Sequence, residues 1–237
     1  MKLEVKHLRK EFGKTVAVDD LSFTLHAGEI LGMAGPNGSG KTTTMNIIAT
    51  LDEPTSGDVL IDGVSVLEYP DAARRAIGFM PDYLPGQPDI SAHEYIDFFA
   101  RAYGFTGKNR KRRVNEIEEF TGVMPIRDKT LAALSRGMKQ RVSLARALVH
   151  DPAILIMDEP ANGLDPRARI EFRAYAKKVA SLGKAVLVSS HILADLNDIC
   201  TGCLVMELGR LKRRIEGDLK NIDLESVFME LTKGEVQ

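Results

Sequence analysis

Eight consecutive residues, Gly35-Pro36-Asn37-Gly38-Ser39-Gly40-Lys41-Thr42, set three glycines, a lysine and a hydroxyl at fixed spacing. The glycines permit backbone conformations and close approaches that a side chain would block. With a helix following, the N–H groups from Gly38 to Thr43 can converge at a helix N-terminus that already favours anions. Lys41 adds a mobile positive charge suited to β- and γ-phosphates, and the Thr42 hydroxyl is a ligand for Mg²⁺. The chemistry this predicts is the grip of a nucleoside triphosphate with its metal.

A second acidic site lies far downstream, where the apolar run Ile154-Leu155-Ile156-Met157 ends in Asp158-Glu159. A strand here delivers Asp158 to the mouth of a sheet, where it can hold water on Mg²⁺. Glu159, projecting differently, can orient or deprotonate an attacking water. Such a pair standing alone is also an ordinary polar cap on a sheet edge; beside the phosphate loop the catalytic reading is preferred.

Strand-like runs at 2–8, 21–25, 30–34 and 58–61 are followed by the turn signal Asp62-Gly63. Residues 90–103, 111–121 and 136–150 read as helices, and a further helix over 43–51 completes the strand–loop–helix setting of the phosphate loop. Strands return at 154–157, 185–188 and 203–206, interleaved with helices at 167–182 and 192–200. Apolar strands alternating with helices predict an α/β fold with a mostly parallel, buried sheet. The helical block at about 83–150 then reads as an insertion on one side of it.

The 237 residues fit one such unit, and the apolar share of 44% is that of a globular protein with a real core. A net charge of -1 argues against wrapping nucleic acid. The start, Met1-Lys2-Leu3-Glu4-Val5-Lys6, reads as a strand and not as an export signal. Apolar runs fall short of the ~20 residues that cross a bilayer, so a membrane role would need a partner. Cys200 and Cys203 form a lone C-x-x-C, too few ligands for zinc, and read as buried thiols of a reducing cytoplasm. The basic runs 108–113 and 210–214 are either solvated faces or contacts to anionic lipid or an acidic partner loop.

In this order the motifs resemble the nucleotide-binding subunit of an ATP-binding cassette (ABC) transporter, over ~215 residues. Phe12 stands where that family stacks an aromatic on adenine. Leu134-Ser135-Arg136-Gly137-Met138 is similar to the signature, commonly Leu-Ser-Gly-Gly-Gln; Ala161-Asn162-Gly163-Leu164-Asp165 is similar to the loop after the catalytic glutamate; and His191 is similar to the switch histidine. The resemblance implies a P-loop NTPase (RecA-like) core with an N-terminal antiparallel β subdomain and an inserted α-helical subdomain. The ATP-binding domain would span 1–217, and 218–237 would form a short tail with a weak helical pattern. It implies ATP and Mg²⁺, with Gly35 to Thr43 and Lys41 on the phosphates and Thr42 and Asp158 near the metal. Two copies, or this chain and a homologous cassette, would close head to tail. Ser135, capping the helix that begins at Arg136, and Gly137 would meet the opposite subunit's γ-phosphate. Glu159 and His191 would position the attacking water, and Asp165 would couple the two sites.

Three residues depart from the commonest pattern. Arg136 replaces a glycine and Met138 a glutamine, while Ser135 and Gly137 are retained. Asp82 stands where the family usually places glutamine. At ~4 Å and an effective dielectric near 20, each unit-charge repulsion between a carboxylate and a phosphate is about 4 kcal/mol. Contact with a doubly charged cation can reverse that, so Asp82 is either an Mg²⁺ ligand or a turn cap beside Pro81. The overall expectation is an ATP-driven transport subunit, export favoured over import, beneath a separate multi-span membrane subunit on the inner face of the cell membrane. The alternatives are a soluble ABC ATPase of the iron–sulfur assembly type and a nucleotide sensor without turnover; with Lys41, Asp158, Glu159 and His191 all in place, the sensor is disfavoured.

Overall fold

Apolar and charged residues alternate along Lys2–Phe12 (β1), which turns Leu3, Val5 and Leu8 inward. The computed structural model describes residues 1–84, 89–217, 219 and 222–232. Both N-terminal strands outrun the lengths expected of them because each contains a bulge. His7 (φ 48°) resets the alternation of β1, and Asp20 (φ 53°) does the same in its partner Thr15–His26 (β2). The two bulges are tied together by His7 Nδ1 and Asp20 Oδ1 at 2.7 Å. Ser56–Ile61 (β4) lines the other edge of β1. Asp62 and Gly63, both left-handed, fold the chain back into Val64–Ser65 (β5). These strands form an antiparallel sheet in the order β2-β1-β4-β5.

The second sheet has the order β10-β9-β3-β8-β7-β6. It contains Ile30–Ala34 (β3), Ile77–Met80 (β6), Ile154–Met157 (β7), Ala185–Ser190 (β8), Gly202–Glu207 (β9) and Arg210–Glu216 (β10). All its pairings are parallel except that of β10 on the edge. Its parallel strands are largely apolar because both faces are covered. Leu31, Met33, Ile154, Ile156, Leu187 and Leu204 point to a core shared with the antiparallel sheet and Lys41–Ile48 (α1). Their neighbours Leu155, Met157, Val186, Val188 and Val205 point to the opposite core. That core is closed by Ala92–Ala102 (α3), Gly107–Phe120 (α4), Arg136–Leu148 (α5) and Pro166–Ser181 (α6).

Pro70–Ala76 (α2) and β6 were not foreseen in the sequence. β6 is a four-residue edge strand interrupted by Gly78, and that glycine lets α5 lie against it. A Cβ there would stand 2.1 Å from the Ala147 carbonyl oxygen. β10 was hidden by its charge, as edge strands often are. Three of its four basic residues meet partners within the chain: Arg210 with Asp19, Lys212 with Glu207 and Arg214 with Glu216. The run at 108–113 lies at the start of α4, as expected of it; Arg110 pairs with Asp97, and Arg113 donates to the Leu148 and Val149 carbonyls at the end of α5. In the tail, Leu224–Thr232 (α8) packs against Leu193–Asn197 (α7); residues 218, 220–221 and 233–237 lie outside the described residues, as do 85–88 of the helical block. Cys200 and Cys203 are free and buried, and burial pushes both thiols up, Cys203 to about 12, so they stay protonated.

His150 is half-buried between α5 and β6. His150 stacks on Tyr103, their centroids 3.8 Å apart, and Nε2 donates to the Ile77 carbonyl at 3.0 Å. Burial lowers its pKa from 6.5 to about 4. The unfolded chain therefore takes up a proton near pH 6.5 that the folded chain does not bind until about pH 4. Stability falls as pH drops through that window and levels off below it. Urea denaturation should show about 2 kcal/mol less stability at pH 4 than at pH 7 from this group, a component absent in His150→Asn.

Candidate nucleotide site

Register gathers the candidate residues at one end of the parallel sheet. Ala34 pairs with Ser190, so the phosphate loop leaves β3 beside the stretch that leads to His191. Met157 pairs with Val188 and Met80 with Met157, so Asp158 emerges between Ser189 and the segment carrying Asp82. The carboxyl ends of parallel strands, on either side of a reversal in strand order, are where α/β sheets bind ligands.

The loop from Gly35 to Thr42 is shaped by close backbone packing. Gly38 and Gly40 take φ of 82° and 95°. A Cβ on Gly40 would lie 2.5 Å from the Ala17 carbonyl of β2, and one on Gly35 would lie 2.5 Å from the Met206 carbonyl of β9. The turn at Gly209 donates to the Ser39 carbonyl and accepts from Asp19 N–H, so β2, the loop and the β9–β10 turn are knitted together. Asn37 is exposed on the loop and Thr43 half-buried in the first turn of α1. Ser39 departs from expectation: its N–H donates to the Pro36 carbonyl at 3.2 Å instead of standing free for a ligand. Phe12, at the end of β1, is 52% exposed, its ring under the Lys10 ammonium at 4.8 Å. An aromatic face this open is available for stacking.

Lys41 is 5% exposed and folds back, donating to the Gly35 carbonyl at 2.7 Å and the Pro36 carbonyl at 3.1 Å. Burial lowers its pKa, and Glu159 and Asp158 oppose that shift. Glu159 sits at φ 46°, a conformation that non-glycine residues adopt mainly under local constraint. Its N–H donates to Ser189 Oγ at 2.8 Å, and Oε2 meets His191 Nδ1 at 2.7 Å. The other oxygen, Oε1, is buried 3.8 Å from Lys41 Nζ and has no hydrogen-bond partner. A buried carboxylate oxygen in that condition is a place for a water or ligand hydrogen. Asp158 accepts from Ser189 Oγ at 2.6 Å.

Ser189 Oγ thus ties the Asp158 carboxylate to the Glu159 backbone, a link that no pattern in the sequence singles out. Only the parallel register, which pairs Met157 with Val188, sets Ser189 abreast of Asp158.

Thr42, Asp82 and Asp158 are among the residues lining a cavity of about 690 Å³. Among the described residues, no group of three or more His, Cys, Asp or Glu could hold a metal unaided. That fits Mg²⁺, which keeps few protein ligands and completes its shell with waters and substrate phosphates. Ser135 and Gly137 lie elsewhere, with Asp165, around a second cavity of about 200 Å³. Ser135 caps α5 through Met138 N–H, as expected, and Asp165 caps α6 through Ala168 N–H.

A family model described as ABC transporter matches residues 18–162. The chain belongs to that family. It is 36% identical to a Nod factor export ATP-binding protein I of Cupriavidus pinatubonensis over 88% of this chain and 64% of that protein, so it spans less than two thirds of that relative's length. It is 32% identical to the linearmycin resistance ATP-binding protein LnrL of Bacillus subtilis, over 88% of this chain and 67% of that one. Among solved structures it is similar to the ATP-binding subunit of an ABC transporter, with TM-score 0.87 and 29% identity over 98% of this chain and all of that one. It is also similar to a dimeric ABC cassette bound to ADP and phosphate after hydrolysis, with TM-score 0.82 and 27% identity over 90% of this chain and 98% of that one. The fold is the expected one, a P-loop NTPase core with an antiparallel sheet beside it. Among the described residues no helix is long and apolar enough to cross a membrane.

Proposed function

We propose that this chain binds and hydrolyses ATP with Mg²⁺ as one of two cassettes closing head to tail, and that it powers export through a separate multi-span membrane subunit. The observation that carries the chemistry is the unpartnered Glu159 Oε1, held between Lys41 and His191 at the mouth of the phosphate loop. Lys41 Nζ exchanges its loop carbonyls for β- and γ-phosphate oxygens. Glu159 Oε1 takes a proton from the attacking water as the new P–O bond forms and the bond from the β–γ bridging oxygen to the γ-phosphorus breaks. His191 holds Oε2 through Nδ1–H, so Nε2 donates to the γ-phosphate only when the ring is an imidazolium. Thr42 and Asp158 would hold Mg²⁺, with Asp82 as a third oxygen donor when the dimer closes; the ion supplies neutralisation of phosphate charge. Phe12 would stack on adenine.

The separate cavity of Ser135, Gly137 and Asp165 supports a composite site, since no residue of their own chain's phosphate loop lines it. Export is supported by the relative named for Nod factor export; a separate membrane partner on the inner face is inferred from membership of the family described as ABC transporter, with no helix among the described residues long and apolar enough to cross a membrane. The test is Mg²⁺-dependent ATP hydrolysis by the purified chain, and its co-purification from solubilised membranes with a multi-span protein. A stable complex with soluble partners alone would overturn the transport reading. Asp82→Gln is expected to raise the Mg²⁺ concentration for half-maximal turnover by about threefold. An unchanged Mg²⁺ dependence removes Asp82 from the metal site.

A further inference from the structure

Two of the residues that depart from the family's commonest pattern face each other. Arg136, first residue of α5, brings Nη2 to 3.5 Å from Asp82 Oδ1, on the segment after β6. Asn162 Nδ2 reaches the same oxygen at 3.5 Å, and Gln140 Nε2, one turn along α5, donates to the Asp82 carbonyl at 3.4 Å. The guanidinium also lies over Gly163, where a Cβ would stand 2.6 Å from Nη1 and 2.7 Å from Cζ. The segment after β6, the loop after Glu159 and the start of α5 therefore converge on one charge pair.

Each charge is unfavourable without the other. A cation in the first turn of a helix opposes the helix dipole, and α5 has no acidic residue there to offset it. A carboxylate near bound phosphates repels them. We propose that Arg136 is a positioning residue: it neutralises Asp82 and fixes the loop carrying Asn162 and Gly163 to the helix whose N-terminus presents Ser135 and Gly137. The loop behind Glu159 and the signature face then move as one body when the cassette closes. Both side chains are about half exposed, at 50% and 44%, so the pair adds little to global stability, and its effect lies in loop register. The catalytic consequence rests on the ATPase reading above; the contact itself does not.

The test is a double-mutant cycle of Arg136→Gly and Asp82→Gln on the full nucleotide-free chain, read by hydrogen exchange. Each single variant is expected to speed amide exchange across 159–164 by about threefold, and the double variant no more than either alone. Arg136→Lys, which keeps the charge, should recover part of the protection. With ATP at saturating Mg²⁺, Arg136→Gly should raise KM more than it lowers kcat, because the register of the loop at 159–164 is lost, and Arg136→Lys should recover part of that loss. Exchange effects that multiply in the double variant, or singles that leave the loop unchanged, overturn the pairing. A chain that shows the exchange coupling yet does not bind ATP overturns the functional reading and leaves the pairing standing.

Discussion

Replacing Glu159 by glutamine is expected to lower ATP turnover by on the order of a thousandfold while leaving ATP binding intact. The substitution keeps size and shape, and the glutamine carbonyl can still accept from His191 Nδ1, now 2.7 Å from Oε2. What it removes is the base. The unpartnered Oε1, 3.8 Å from Lys41 Nζ, becomes an amide nitrogen with two hydrogens and no capacity for another. Binding then proceeds to the closed pair of cassettes and stops there. Gel filtration of the variant with ATP and Mg²⁺ should show a dimer that the unsubstituted chain passes through only transiently. Persistent full turnover would remove Glu159 from the base role, and Ser189→Ala would then become informative. Loss of Ser189 Oγ frees both Glu159 N–H and Asp158 Oδ1 without touching either carboxylate's charge.

The parts legible in the sequence share a physical cause: they depend on local pattern. Gly35 to Thr42 declares itself because glycine, lysine and threonine at that spacing have few other uses between a strand and a helix. The strands β3 and β7 match the predicted runs because both faces are buried and the apolar run is continuous. The parts not legible depend on register and on long-range pairing. β10 carries charge where a strand pattern asks for alternation, and its partners Asp19 and Glu207 lie far away or across the turn. β1 and β2 were cut short because a bulge breaks a two-residue period. Ser189 matters only because β7 and β8 run parallel in one register, which no spacing along the chain discloses. Asp82 and Arg136 were each read as separate departures from a pattern. Only the fold, bringing residues 54 apart in sequence together, shows them to be one contact.

The same distinction between local and tertiary constraint predicts a contrast between two glycines of the phosphate loop. Both have positive φ, 82° at Gly38 and 95° at Gly40, so an alanine at either carries backbone strain of about 1–3 kcal/mol. At Gly38 nothing lies within 4 Å of the added methyl, and strain is the whole cost. At Gly40 the methyl would stand 2.5 Å from the Ala17 carbonyl and 3.4 Å from the Gly209 Cα. Neither neighbour can yield easily. Ala17 belongs to β2, and Gly209 is bonded both to Ser39 and to Asp19. The loop must therefore move away from β2, which displaces Lys41, the next residue, from the carbonyls and the carboxylate it now faces. Gly40→Ala is expected to weaken ATP binding by about a hundredfold and lower stability by about 3 kcal/mol, against about 1 kcal/mol for Gly38→Ala. Fluorescent-nucleotide titration and thermal melts of the two variants side by side measure both effects. Equal losses in the two would mean that φ alone dictates glycine in this loop and that the contact with β2 is dispensable.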